Sequence, residues 1–548
     1  MTARKAYTYV LVGSGVAAST IATRLLHHDP DTAILMVEAG ERIPARDRRT
    51  WWDYVVTGAL PYTKTYDRDH EPHHTHGSHR TANATGTPTP QAHSSVGNTF
   101  WRMRGARITA YGGTTLHWGG WSLRMKPEDF YLKTNTGLGA DWLIDYDELE
   151  PYYGQAEEHL AVCGDDEDAW TWRSTPYPLP PYPWLEPDTE MVEALEGAGL
   201  RAGRMPLARY RHCMTTGTCR YCPVGARFSG QYVNEALEAA GHPNFEVVTG
   251  ARVQEIVLDT RRRARGVKLV KLADGSVEQV DADRVIVCAG AFESPNLLRR
   301  SGGPEWENGL GNDADLVGRY LVSHSFLSVT GTSIANKPRM VQELGFPTLM
   351  SRSCDDEAHQ ADGKIFMFRN FNLPSHDWAG LMQSGNDRAQ LDAVAEGPRT
   401  TALSAFYEET GEFQNYIRPT RGTDQFGFPL MEINFNRSDR TMRNANKRLA
   451  EMGEIFARMP DYRVFQSAFE GAAGFHASGT CRMGRTPAEG VTDGELRVHG
   501  TDNVWICSNA VFPSIGAVNP TLTLTALAFR LADRLVSGDA AAGSRGHA

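Results

Sequence analysis

Gly13, Gly15 and Ala18 fall in the spacing Gly-x-Gly-x-x-Ala, and Glu38 follows Ala18 by 20 residues. The chemistry of that set is dinucleotide binding. Gly13 permits a sharp turn, Gly15 lets the backbone approach a pyrophosphate, and Ala18 lets a helix pack closely on a strand. A helix that begins there presents unpaired N–H groups to phosphates. A carboxylate at Glu38 can accept hydrogen bonds from a ribose diol. This unit alone does not choose between NAD and FAD.

Other residues carry weaker chemical signals. Tyr111-Gly112-Gly113-Thr114-Thr115-Leu116-His117-Trp118 places paired glycines beside hydroxyls, after Arg102, Arg104 and Arg107. Such a run suits close backbone approach to a flat ligand or a phosphate. Cys213, Cys219 and Cys222 read Cys-x5-Cys-x2-Cys. Three thiolates so close could hold an iron–sulfur cluster, could hold zinc with His212, or could stay unligated. Cys163, Cys288, Cys354, Cys481 and Cys507 are scattered and read as core. His70, His73, His74, His76, His79 and His93 crowd a polar stretch, 63–100. So many imidazoles could hold a metal, but no zinc-type pairing with cysteine accompanies them, so the stretch reads rather as a mobile insertion that could serve as a lid.

The elements that would position these residues follow from periodicity. Residues 7–12 read as a buried strand, and Ala18, Ile21, Ala22 and Leu25 make one helical face. Residues 32–38 form a second strand, which completes a βαβ unit. Residues 244–258, and the segment around Gly266, alternate like paired strands. Residues 284–291 read as a strand ending at Ala289-Gly290-Ala291, with Ser294-Pro295 opening a helix. Residues 303–465 hold short, irregular patterns and read as substrate-facing. Residues 503–506 are a strand. Pro520 suits the first position of a helix that runs on an apolar face to a stop at Gly538.

Composition bounds the class. The 548 residues are 41% hydrophobic and carry a net charge of −10, which disfavours a global nucleic-acid binder. Eight cysteines are too sparse for a disulfide scaffold. No apolar run reaches the ~18 residues of a membrane span. The N-terminal apolar run is interrupted at Gly13-Ser14-Gly15 and reads as structure, so the expected setting is the cytoplasm.

Taken together, the segments resemble the glucose–methanol–choline (GMC) flavin oxidoreductase family. The matching pieces are Gly13-Ser14-Gly15 with Glu38-Ala39-Gly40, the Tyr111–Thr115 block, Ala289-Gly290-Ala291 with Ser294-Pro295, Val317–Leu321 with His324, His476–Gly484, and Asn519–Thr523. The block at 114–118 resembles pyranose oxidases and glycoside 3-oxidases, and also the flavoprotein subunits of sugar and sugar-acid dehydrogenases. The resemblance implies an α/β fold: a discontinuous FAD-binding Rossmann-like domain (1–62, 101–160, 205–330 and 466–548) with an α+β substrate-binding domain on an antiparallel sheet (161–204 and 331–465). It implies FAD, and cofactor contacts at Gly13, Gly15, Ala18, Glu38, Arg107, Gly112, Gly113, Thr114, Thr115, His117, Val253, Ala289, Gly290, Asn509, Pro520 and Thr521. His117 matches a position that carries a covalent flavin link in some relatives; Leu116 before it departs from their pattern, and linked and unlinked forms both stay open.

His476 and Asn519, 43 residues apart, match the family's catalytic pair. The resemblance implies oxidation of a secondary hydroxyl, at carbon 2 or 3, of a pyranose sugar or glycoside. His476 takes the proton, FAD takes the hydride, and dioxygen or a quinone reoxidises the flavin. One alternative is the catalytic subunit of a dehydrogenase complex with a cluster at Cys213, Cys219 and Cys222. Another is a hydroxynitrile-lyase-type member without net redox chemistry.

Overall fold

A computed structural model of the chain describes residues 6–44, 46–57, 74–76, 93–99, 101–102, 108–168, 170, 172–210, 213, 221–302, 306, 308–335, 346–370 and 398–538. Residues Ala6–Val12 form β1, and its last four residues are all buried. That is the mark of a parallel strand covered on both faces. The turn at Gly13–Gly15 leads into helix α1 (Val16–His28), and β2 (Ile34–Val37) follows, wholly buried. The first βαβ unit is therefore as expected, with Glu38 one residue past the strand.

The same sheet takes in β3 (Phe245–Val248), β4 (Ala251–Leu258), β5 (Ala264–Lys271) and β6 (Val277–Val287), in the order β4-β5-β6-β1-β2-β3. Helix α2 (Gly230–Ala239) precedes β3, and α3 (Gly290–Arg300) follows β6. The stretch 244–258 holds two paired strands, as its alternation suggests: β3 runs parallel to β2, and β4 pairs antiparallel with β5, the segment around Gly266.

Helix α3 also starts earlier than expected, at Gly290, and holds Pro295 in its interior. A proline there cannot donate to the carbonyl four residues back, which is that of Ala291. The Thr480 hydroxyl donates to that carbonyl instead, at 2.6 Å.

The middle of the chain is more regular than its sequence suggests. Strands β7 (Ser325–Ser333), β8 (Ile365–Asn370), β9 (Thr400–Tyr407) and, after helix α4 (Asp439–Phe456), β10 (Tyr462–Ala473) form a second sheet. Within it β10-β7-β9-β8 pair antiparallel. A separate core of Leu327, Val329, Met367, Leu403, Met452 and Phe456 fills the space between this sheet and α4.

The chain then returns to the first sheet. Strand β11 (Val504–Ile506) lies parallel to β6, and α5 (Thr521–Ser537) packs on α1. The result is the expected mixed α/β fold with a largely antiparallel second sheet. The stretch 63–100 lies mostly outside the described residues. Within its described parts, 74–76 and 93–99, the strands 74–76 and 93–96 pair parallel, and 93–96 also pairs with 431–434. Among the described residues no helix is long and apolar enough to cross a membrane.

Candidate active site

Two glycine turns meet at the carboxyl end of β1. Gly13 holds φ at +106°, and a Cβ there would stand 2.8 Å from the Cys288 carbonyl oxygen. Only glycine meets both demands. A Cβ on Gly113 would come within 3.1 Å of Gly15 Cα, whereas a Cβ on Gly15 would meet nothing within 4 Å. A cleft of about 250 Å³ opens over these turns. Its lining includes Gly13, Gly15, Glu38, Gly113, Thr114, Val253, Ala289, Gly290 and Asn509. Phe475 and Ala477, which flank His476, line it too.

Other expected cofactor residues stand behind this lining. Ala18, in the first turn of α1, is fully buried, as close helix–strand packing requires. Gly112 and Thr115 join segments of the protein to one another. Ser14 Oγ donates to Glu38 (2.5 Å) and accepts from the Gly112 N–H (2.9 Å). Thr115 Oγ1 donates to the Gly112 carbonyl (2.7 Å) and accepts from the Gly230 N–H (2.8 Å). The Thr115 hydroxyl is thus bonded to backbone rather than turned to the cleft. His117 closes the same short turn. Pro520 caps α5 and Thr521 begins it, one residue later than expected; Leu524 in its first turn lines the cleft. Arg107 and Cys219 lie outside the described residues. Of the cysteine trio, Cys213 accepts a bond from Arg209 and Cys222 one from the Ala226 N–H.

Glu38 is 8% exposed and already bonded. It accepts from the N–H groups of Ser14 (3.1 Å) and Gly40 (2.8 Å) besides the Ser14 hydroxyl. Burial pushes its carboxyl above the usual range, and the bonds from Ser14 and Gly40 pull the other way.

Strand pairing assembles the catalytic candidates. His476 ends the short helical turn Gly474–His476 that follows β10, and His324 immediately precedes β7. Ser325 pairs with Ala472 on one side of them, and Val322 with Ser478 on the other. The two imidazoles are thereby clamped, Nδ1 to Nδ1 at 3.0 Å. His324 Nε2 stands 3.0 Å from the Gly516 carbonyl, and His476 Nε2 stands 3.1 Å from Asn519 Nδ2. Gly516 has φ +55°, and a Cβ there would lie 2.9 Å from an Asp129 carboxylate oxygen.

Phe406 and Phe475 stand edge-on to the His476 ring, at 4.8 and 4.7 Å. Burial in these surroundings, with His324 alongside, holds His476 well below the usual histidine range. Burial also lowers His324, to about 4. Both rings are neutral at pH 7.

The residues present fit a flavin dinucleotide. The turn at Gly15 is open on the cleft side, at the N-terminus of a 13-residue helix. The side-chain oxygens of Asn509 and Asn519 are buried without a hydrogen-bond partner among the described residues, a costly state that a bound polar ligand relieves. His324, Gly516 and Phe406 were not foreseen as site residues. His324 sat in a recognisable segment, but only the register of β7 against β10 brings it to His476.

Comparison with known proteins yields consistent findings. Two family models described as GMC oxidoreductase match residues 7–326 and 412–528. The chain is 28% identical to paromamine 6'-oxidase of Streptomyces fradiae, over 98% of this chain and 92% of that protein. It is 25% identical to the fructose dehydrogenase large subunit of Gluconobacter japonicus, over 96% and 97%. Among solved structures, pyridoxine 4-oxidase from Mesorbium loti superposes with a TM-score of 0.66, at 20% identity, over 97% of this chain and 99% of that one.

Proposed function

The chain belongs to the GMC oxidoreductase family, and from that premise we propose that it oxidises a secondary hydroxyl of a pyranose sugar or glycoside, at carbon 2 or 3, to the ketone. More broadly, it is a flavoprotein oxidoreductase acting on the CH–OH group of sugar-like alcohols, and its cofactor is FAD. FAD when bound supplies the two-electron acceptor for the hydride of the carbinol carbon.

The protein's own residues do the rest. The turns at Gly13–Gly15 and Gly113 and the N-terminus of α1 receive the diphosphate, and Glu38 receives the ribose. Val253, Ala289, Gly290 and Asn509 line the remaining length of the cleft. Neutral His476 takes the hydroxyl proton, a role worth about 10²–10⁴-fold. Asn519 holds the substrate oxygen in line, and the N-terminus of α5 favours negative charge nearby. The observation that carries the reading is the 3.1 Å contact between His476 Nε2 and the half-buried Asn519 amide, with His476 itself buried beside the cleft.

A second reading is oxidation of a primary, exocyclic hydroxyl. It is favoured by the relative named as a 6'-oxidase, which aligns with 98% of this chain. An anaerobic panel of free sugars and glycosides, read by loss of flavin absorbance and by NMR of the product, tests both. Bleaching with a 2- or 3-keto product supports the first reading, and an aldehyde at the exocyclic carbon supports the second. A flavin that no sugar or glycoside bleaches contradicts both. Reoxidation by dioxygen or by a quinone in the same cuvette then identifies the acceptor.

A further inference from the structure

We infer that His324 is a positioning residue that fixes which ring nitrogen of His476 is basic. The inference rests on the reading of His476 as the proton acceptor, and it follows from counting hydrogens along one chain of contacts. The Gly516 carbonyl can only accept. Its 3.0 Å contact therefore requires a proton on His324 Nε2. His324 is fully buried and neutral, so that is its single ring proton, and its Nδ1 carries a lone pair. Two lone pairs cannot face each other at 3.0 Å, so His476 Nδ1 must bear hydrogen and donate to His324. His476 is neutral as well, which leaves its Nε2 unprotonated. That lone pair faces the Asn519 amide nitrogen, a donor, at 3.1 Å.

Every contact then has one donor and one acceptor, and the sequence runs in one direction from Asn519 to Gly516. The reverse order would require a carbonyl oxygen to donate. The glycine at 516 is needed for this, because its left-handed turn lies too close to Asp129 for any side chain. The Asp355 carboxylate, the charged group that acts on His324, favours its protonated form, but burial outweighs it.

The consequence is a base aimed by the backbone. In catalysis the substrate O–H bond breaks and an Nε2–H bond forms on His476. The proton on Nδ1 stays in place, and its bond to His324 Nδ1 delocalises the new positive charge. A histidine held in the wrong tautomer offers no base to its substrate; in the serine-protease triad that fault costs about 10⁴-fold.

Three holoenzyme variants test the inference: His324→Asn, His324→Leu and His476→Ala. FAD content and thermal midpoint are measured beside the anaerobic rate of flavin reduction. The Asn side-chain oxygen can still accept from His476 Nδ1, whereas Leu cannot. The Asn variant should stay within about tenfold of wild type, and the Leu variant should lose about 100-fold with FAD retained. Equal losses in Asn and Leu would mark a structural role and overturn the inference, as would a Leu variant with the wild-type rate.

Nitrogen-15 spectra of histidine-labelled wild-type protein give a readout independent of turnover, and of whether the variants fold. They should place the His476 proton on Nδ1, and a proton on Nε2 would overturn the inference. The alanine variant separates the two levels. An undiminished rate there refutes His476 as the base, while a slow His476→Ala beside a fast His324→Leu refutes the positioning role alone.

Discussion

A histidine that must accept a proton at neutral pH has to be neutral beforehand, and the surroundings of His476 favour that form. Burial and the neighbouring His324 depress its conjugate acid below the ordinary 6.5. The sign is direct. The base is available above its depressed pKa and is lost only as pH falls through that value. The pH profile of flavin reduction should therefore be flat from about 6.5 to 8, with its acid limb below 6.5. A limb at or above 6.5 that vanishes in His476→Asn would contradict this. His476 and Asn519 were legible in the sequence because their flanking motifs and 43-residue spacing are local signals. The part played by His324 was not, since it depends on strand register and on a carbonyl near the other end of the site.

At the scale of elements, the strand–turn–helix that opens the chain was fully legible, as its glycines serve a local geometry. Gly13→Ala tests it: a Cβ 2.8 Å from the Cys288 carbonyl, on a residue at φ +106°, forces β1 away from β6. The variant should lose at least about tenfold in FAD affinity and about 1–3 kcal/mol in stability; titration calorimetry showing wild-type affinity would refute the role. Strands β7 and β9 were hidden for a physical reason. Seven of nine residues in β7 and seven of eight in β9 are buried, so neither shows a two-residue alternation. Their Ser and Thr residues look like turn formers, yet pair across the sheet, as Ser328 does with Ser404 at 3.1 Å. The early start of α3 was masked by Pro295, whose missing hydrogen bond Thr480 supplies from a distant segment.

At the scale of the whole molecule, the sequence's ends close one sheet and its middle builds another, and buried charge collects near the site. Lys364 is fully buried against Asp129 and Asp355, and Arg352 bonds Asp355 at 2.7 Å. Glu408 lies among them, its carboxyl oxygens without a hydrogen-bond partner among the described residues, and burial raises that carboxyl to about 8. It therefore stays protonated in the native protein between 4.5 and about 8, where the unfolded chain releases the proton. Its contribution to stability is complete below 4.5 and is lost as pH rises through 8. His324 acts in the opposite sense, contributing fully above 6.5 and less as pH falls through about 4. Glu408→Gln should thus stabilise the protein by about 2–4 kcal/mol more at pH 9 than at pH 5; denaturation giving equal changes at both pH values would refute this. The central claim, that His476 beside the cleft takes the proton of a sugar-like alcohol, is tested most directly by anaerobic stopped-flow reduction of bound FAD in wild type and His476→Ala, mixed with the alcohol that bleaches the flavin fastest. A variant that keeps its FAD but reduces it at least about 100-fold more slowly is the predicted result, and one that reduces it at the wild-type rate would contradict the account.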